Sequence, residues 1–256
     1  MTGSPQGPGF SDPSFDRSRL DAIRDQLANP RPATPPAPTS RPTPPASTPS
    51  AKPAAREEKE RPQWQVAAAI VGGFALLLYV IEFIDALMDH RLDQWGIEPL
   101  TLNGLWGILF APLLHANWEH LAANTLPLLV LGFLVMLSGI GRGLAATGII
   151  WLVAGVGVWF TGGQNTLHIG ASGIVFGWLA YLLVRGFFTR KIAQVLIGIV
   201  VFLIYGSLLW GALPGTPGVS WQGHLFGAIG GVVAAWMLSG PERDARRARS
   251  QASAAT

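Results

Sequence analysis

His168-Ile169-Gly170-Ala171-Ser172-Gly173 is a short polar stretch between two long apolar runs. Ser172 opens a fresh apolar segment, and a second isolated polar residue, His224, opens another further along. Polar side chains inside lipid are expensive, so an isolated pair of them is a functional hypothesis by default. A serine with a histidine is also the smallest set that supplies a nucleophile and its base.

The 256 residues are 49% hydrophobic and only 13% charged, with a mean hydropathy of +0.35. That is too apolar for an ordinary soluble domain. There is no cysteine, which excludes disulfides, thiolate metal sites and a cysteine nucleophile. The pI near 9.7 comes mainly from arginines beside the apolar segments. There they set membrane topology rather than bind nucleic acid, and no nucleic-acid partner is expected. Met1-Thr2-Gly3-Ser4-Pro5 lacks the charged start and apolar run of a signal peptide.

Residues 1–62 are a different material. Most of the chain's 20 prolines lie there, mixed with Ala, Ser and Thr, a composition that cannot bury a core and predicts a disordered tail. Within it, Asp16 to Ala28 has the spacing of a short helix, with Leu20, Ile23 and Leu27 on one face. From Val66 onward the hydropathy predicts six spans, at 66–87, 120–138, 144–161, 172–188, 192–211 and 222–239. The expected organisation is thus a Pro-rich tail over 1–62, a membrane domain over 63–240 and a basic tail over 241–256.

Charge orients the spans. Arg56, Lys59 and Arg61 precede the first. Arg142 lies between the second and third, and Arg185, Arg190 and Lys191 between the fourth and fifth. Arg243, Arg246, Arg247 and Arg249 follow the sixth. The opposite loops are poor in cations: 88–119 carries Arg91 against Asp89, Asp93, Glu98 and Glu119, while 162–171 and 212–221 carry no Lys or Arg. The positive-inside rule places both termini in the cytoplasm. The long loop 88–119 holds Trp95, Trp106, Phe110 and Trp118. It is predicted to lie half-buried at the outer interface with helical pieces in it.

This orientation gathers scattered residues. Spans two, four and six all run from outside to inside. His120 and Asn124 near the start of span two, Ser172 at the start of span four and His224 near the start of span six therefore share one depth. His120 and Asn124 are spaced i, i+4 and share a helical face. Gly173 and Gly177 follow Ser172, and Gly227 and Gly231 follow His224. Such small-residue stripes let two membrane helices approach closely. Packed together, spans four and six would bring Ser172 within hydrogen-bond reach of His224 as general base. The unpaired N–H of Ser172 at a helix N-terminus, with the side chains of His120 and Asn124, would serve a developing oxyanion. Gly170 and Gly173 flanking the serine allow a sharp turn and close substrate approach.

Each signal by itself has a plainer meaning. G-x-S-G fits a helix-packing serine, H-x-x-x-N a tie between helices, and an intramembrane histidine a structural hydrogen bond. Their joint occurrence on three co-oriented spans points to catalysis. His115 and His168 read as loop-structuring groups, and His90 also lies on the external side. No H-E-x-x-H occurs and no acidic residue lies in the later spans, so no metal is assigned. A small-solute transporter would show inverted repeats or matched broken helices, and neither is visible.

Taken together, these residues resemble the rhomboid family of intramembrane serine proteases over roughly 66–240. His120-Leu121-Ala122-Ala123-Asn124 resembles its H-x-x-x-N. Gly170-Ala171-Ser172-Gly173 resembles its G-x-S-G, and His224 with Gly227 and Gly231 its H-x-x-G-x-x-x-G. The resemblance implies an all-α membrane protein, a six-transmembrane-helix rhomboid-like bundle of the bacterial type. It implies a Ser172–His224 dyad, an oxyanion hole of His120, Asn124 and the Ser172 backbone, and no cofactor. The partners it implies are the lipid bilayer and transmembrane protein substrates, cut near the outer face and admitted past the fifth helix and the loop around 212–221. A catalytically silent membrane-protein binder or chaperone is the alternative on the same fold. Two positions differ from the family's common pattern. Trp106-Gly107 stands where Trp-Arg is frequent, and Phe176 stands where many members stack a Tyr on the catalytic histidine.

Overall fold

The computed structural model describes residues 61–215 and 218–254, together with Asp21, Ile23, Arg24, Asp25 and Ala28. Those five are helical and exposed, and the rest of the short helix expected over Asp16–Ala28 lies outside the described residues, as does most of the Pro-rich tail. Eight α-helices follow: α1 (Gln63–Leu87), α2 (Gly104–Phe110), α3 (Trp118–Leu137), α4 (Ile140–Thr161), α5 (Ser172–Thr189), α6 (Ile192–Tyr205), α7 (Trp221–Met237) and α8 (Gly240–Ala254). Among the described residues the sole β feature is an isolated antiparallel bridge between Ile97 and His168. Among the described residues, six helical segments are long and apolar enough to cross a membrane, as the hydropathy predicted; most ends are displaced by a few residues, and the sixth segment runs on through α8 to Ser253.

The displacements have local causes. The Asn117 side chain accepts the His120 N–H at 2.8 Å, so α3 begins at Trp118 rather than 120. Gly139, at φ +121°, turns the chain so tightly that α4 starts at Ile140. The fifth span changes character: α6 stops at Tyr205 and a 3₁₀ segment, Gly206–Ala212, completes it. Residues 241–256, read as a basic tail, are helical through Ala254.

α5 is the hub. Two-thirds of its apolar window is buried (67%), against 11% for the segment containing α6, which makes α6 the peripheral helix. α5 and α7 meet backbone to backbone. A Cβ on Gly227 would strike the Gly173 carbonyl, and one on Gly231 would strike the Gly177 carbonyl. α4 closes the third side, with Ile150 against Gly177 and the Phe226 ring against Gly157.

The opposite end of α5 differs from the sequence expectation. Arg185, counted there as a loop charge, lies inside α5 and is buried. Its guanidinium donates to Tyr181 Oη, to Ser138 Oγ at 3.1 Å and to Gln194 Oε1 at 3.1 Å, and it pairs with Glu242 of α8 at 3.7 Å. Glu242 also takes Arg142 at 3.1 Å. A cation this deep persists because its donors are met.

Loop 88–119 carries the helical pieces expected of it. α2 rests on the preceding turn because Gly104 and Gly107 bring its backbone against Glu98 and Gly96. Two indoles of α4 fasten it, Trp151 Nε1 donating to the Ile108 carbonyl at 2.7 Å and Trp159 Nε1 to that of Thr101 at 2.8 Å. Gly107 thus occupies a position that an arginine could not enter without moving the backbone of Gly96 and Ile97.

The glycine contact predicts a contrast. Gly227→Val forces α5 and α7 apart and is expected to cost ~1–3 kcal/mol, read as a lower melting temperature in detergent micelles. Gly148→Ala in α4, where a new Cβ meets nothing within 4 Å, should leave it unchanged or slightly higher.

Candidate active site

Four backbone anchors hold the segment that leads into α5. His168 and Ile97 exchange N–H···O bonds at 2.9 and 3.0 Å, and the Gly170 N–H donates to the Ala111 carbonyl at 2.8 Å. The Ala171 N–H reaches His115 Nε2 at 3.4 Å. Every partner belongs to loop 88–119. Gly170 itself sits at φ +116°, a conformation that favours glycine, and a Cβ there would lie 2.8 Å from Cε1 of His120. The chain then enters α5 with Ser172 as its first residue, where the amide N–H groups have no acceptor within the helix.

Ser172 Oγ lies 2.9 Å from Nε2 of His224, and Nδ1 of His224 lies 2.8 Å from the Gly211 carbonyl oxygen. A carbonyl only accepts, so Nδ1 carries the hydrogen and Nε2 is bare. Ser172 is therefore the donor in the first bond. Phe176, one turn into α5, stacks flat on the imidazole, with ring centroids 3.9 Å apart and planes 9° apart. The ring is thus fixed by its face, its Nδ1 edge and its Nε2 edge.

A second histidine fixes the start of α7. Ser220 caps that helix, its Oγ accepting the Gly223 N–H at 3.2 Å. His168 Nδ1 lies 2.7 Å from the same oxygen, and His168 Nε2 lies 2.9 Å from Thr166 Oγ1. The Thr166 hydroxyl spends its hydrogen on the Gly163 carbonyl at 2.6 Å. His168 Nε2 is then a donor, and Nδ1 accepts from Ser220. Burial pushes the His168 pKa below its usual value, which keeps the ring neutral as this pattern needs.

The Cε1 and Nε2 edge of His120 packs against Gly170, and its ring meets that of His115 edge to face at 5.2 Å. Asn124 is buried one turn below; its amide donates to the His120 carbonyl at 2.9 Å and retains a second N–H. The structure therefore gathers Ser172, His224, His120, Gly170 and Phe176 at one place. Asn124 is tied to this group through its bond to the His120 carbonyl, and Gly173, Gly177, Gly227 and Gly231 form the contact between α5 and α7. A narrow cavity of about 40 Å³ adjoins Ser172, walled by Trp151, Ala154, Gly155 and Gly223. The Gly211 carbonyl could not be foreseen, since a backbone acceptor belongs to no side-chain pattern. The ties through His115 and His168 match the loop-structuring role read for both.

Burial, and then the nearby His120, holds the His115 pKa down at about 4. Its proton therefore favours the unfolded chain. Its contribution to stability is present above pH 6.5 and is lost as the pH falls from 6.5 toward 4, on the order of 3 kcal/mol at the limit. Melting temperature in micelles should drop over that window, and His115→Gln should flatten the drop.

A family model described as the Rhomboid domain matches residues 102–241. An uncharacterized protein of Mycobacterium tuberculosis (strain ATCC 25618 / H37Rv) is 55% identical over 195 residues, covering 73% of this chain and 81% of the relative. Rhomboid-like protein 11, chloroplastic, of Arabidopsis thaliana is 34% identical over 173 residues, 60% of this chain and 61% of the relative. The rhomboid protease GluP of Bacillus subtilis (strain 168) is 34% identical over 155 residues, 57% of this chain and 29% of GluP.

Proposed function

This chain belongs to the rhomboid family, and from that premise we propose that it is an intramembrane serine endopeptidase in which Ser172 and His224 form the catalytic dyad. The family is one of intramembrane serine proteases, and the chain is a multi-pass membrane protein. The observation that carries the reading is the 2.9 Å approach of Ser172 Oγ to a His224 Nε2 left bare by the Gly211 carbonyl.

In this reading Ser172 Oγ attacks the scissile carbonyl carbon while its proton passes to His224 Nε2. The imidazolium keeps its Nδ1–H on Gly211, which takes the orienting place that a carboxylate holds in a triad. The tetrahedral oxyanion receives the Ser172 N–H with side-chain donors of His120 and Asn124. His224 then protonates the leaving amine, the C–N bond breaks and an acyl-enzyme remains. Water attacks that ester, giving its proton to His224, and the serine is released. The adjoining cavity of about 40 Å³ suits a small side chain at the cleavage point.

The arginine distribution supports placing both termini in the cytoplasm of a bacterial plasma membrane, with the protease domain over 63–240 and the dyad near the outer face. The thin packing of α6 supports lateral admission of a transmembrane substrate beside it.

The test is labelling of the purified protein in micelles by a fluorophosphonate, alongside cleavage of a transmembrane peptide. Ser172→Ala should abolish both. Asn124→Ala should fold and lose roughly 10²–10³ in cleavage rate. Labelling that survives in Ser172→Ala overturns the dyad. A cellular function that survives that substitution favours the silent binder.

A further inference from the structure

Away from the dyad, the end of α1 and the turn after it hold Glu82, Asp85, His90 and Asp93. Nδ1 of His90 lies 3.8 Å from Asp85 Oδ2 and 3.9 Å from Asp93 Oδ2, and ligand atoms of the three residues fall within 4.8 Å of one another. The turn is built to hold this grouping. Asp89 and His90 both adopt left-handed backbone, the His90 N–H donates to the Asp85 carbonyl at 2.9 Å, and Asp85 Oδ1 accepts the Leu92 N–H at 2.7 Å.

The second observation is independent of that geometry. Glu82, one turn earlier on α1, is only 1% exposed, and neither carboxylate oxygen has a hydrogen-bond partner. It precedes Asp85 by three residues on the same helix, and so shares its face. Asp85 Oδ2 and Asp93 Oδ1 are likewise buried and meet no N–H donor, with the two carboxyls next to each other. Buried carboxylate oxygens are normally satisfied by donors or by a cation, since an unpaired buried charge is costly. Here two carboxylates converge on one imidazole, a third lies buried one helical turn before them, and His90, 43% exposed, leaves a path from water.

We propose that Asp85, His90 and Asp93, with Glu82 behind them, bind one divalent transition cation of the zinc class, which clamps the end of α1 to loop 88–119. The donor set decides the class. An imidazole nitrogen among carboxylates suits Zn²⁺, whereas Mg²⁺ and Ca²⁺ prefer oxygen alone. Tetrahedral coordination at the usual bond lengths needs ligand atoms about 3.4 Å apart. Closure from 3.8 and 3.9 Å is a matter of side-chain rotation. The clamp would act on the same loop whose backbone holds His168 and Gly170, so its effect is on stability rather than on the reaction.

The experiment uses the full chain in micelles, stripped with chelator and titrated with Zn²⁺ or Mg²⁺ at neutral pH, followed by calorimetry and thermal unfolding. One equivalent of Zn²⁺ should bind. At 100-fold excess over Kd the melting temperature should rise by on the order of 5 °C, with no rise from Mg²⁺. His90→Ala and Asp93→Asn leave the Asp85–Leu92 bond intact and should fold, yet lose at least tenfold in Zn²⁺ affinity together with the thermal shift. Wild-type stoichiometry and shift in His90→Ala, which would place the ion on other histidines, overturn the proposal. So does a chain with no zinc-dependent shift. Fluorophosphonate labelling of Ser172 in the same variants should be unchanged, which separates failure of this site from failure of the dyad.

Discussion

The contact between α5 and α7 is the constraint on which the meeting of Ser172 and His224 depends. Gly173 and Gly177 meet Gly227 and Gly231 so closely that the carbonyl oxygens of one helix occupy the space where Cβ atoms of the other would stand. At that separation the hydroxyl at the head of α5 and the imidazole in the first turn of α7 fall at hydrogen-bond distance. In lipid there is no hydrophobic drive to press helices together, so close packing must come from shape, and glycine supplies it. A side chain at Gly177, Gly227 or Gly231 would push these helices apart and separate Ser172 from His224.

A second constraint acts on the loops. Loop 88–119 is long, yet it is pinned by two indoles of α4 and in turn pins the segment 168–171 through backbone bonds. Its own compactness rests on Gly104 and Gly107. The serine is therefore held from two directions, by α7 beneath and by this loop beside it. Histidines share the work unequally. His115 and His168 serve as neutral hydrogen-bond partners that fix backbone and cap, while His224 is left with a bare nitrogen facing an alcohol. The difference lies in what each ring's other nitrogen touches, not in the residue type.

The fold was largely legible because a membrane leaves little choice. Apolar runs of the right length must become helices when no water is available for the backbone, and the six runs did so within a few residues. The i, i+4 spacing of His120 and Asn124 and the glycine stripes were legible for the same reason, since helical periodicity fixes which residues share a face. Arg185 was misread because a cation near a span's end looks like a loop charge. Only its partners, Tyr181 one turn earlier on α5, Ser138 at the end of α3, Gln194 of α6 and Glu242 of α8, make its burial tolerable. The Trp106-Gly107 pair looked like a departure from a pattern until the backbone of Gly96 was seen against it.

The sequence by itself determined the membrane class, the six spans, their alternation and the identity of the few polar groups in them, because composition and period act locally along the chain. Tertiary structure decided which of those groups meet, which nitrogen of His224 is bare, and where carboxylates of α1 are left without partners. Those facts depend on carbonyl oxygens and on contacts between residues as far apart as Ser172 and His224. No side-chain pattern carries them, because a backbone acceptor is the same atom in every residue and gains meaning only from its position in space.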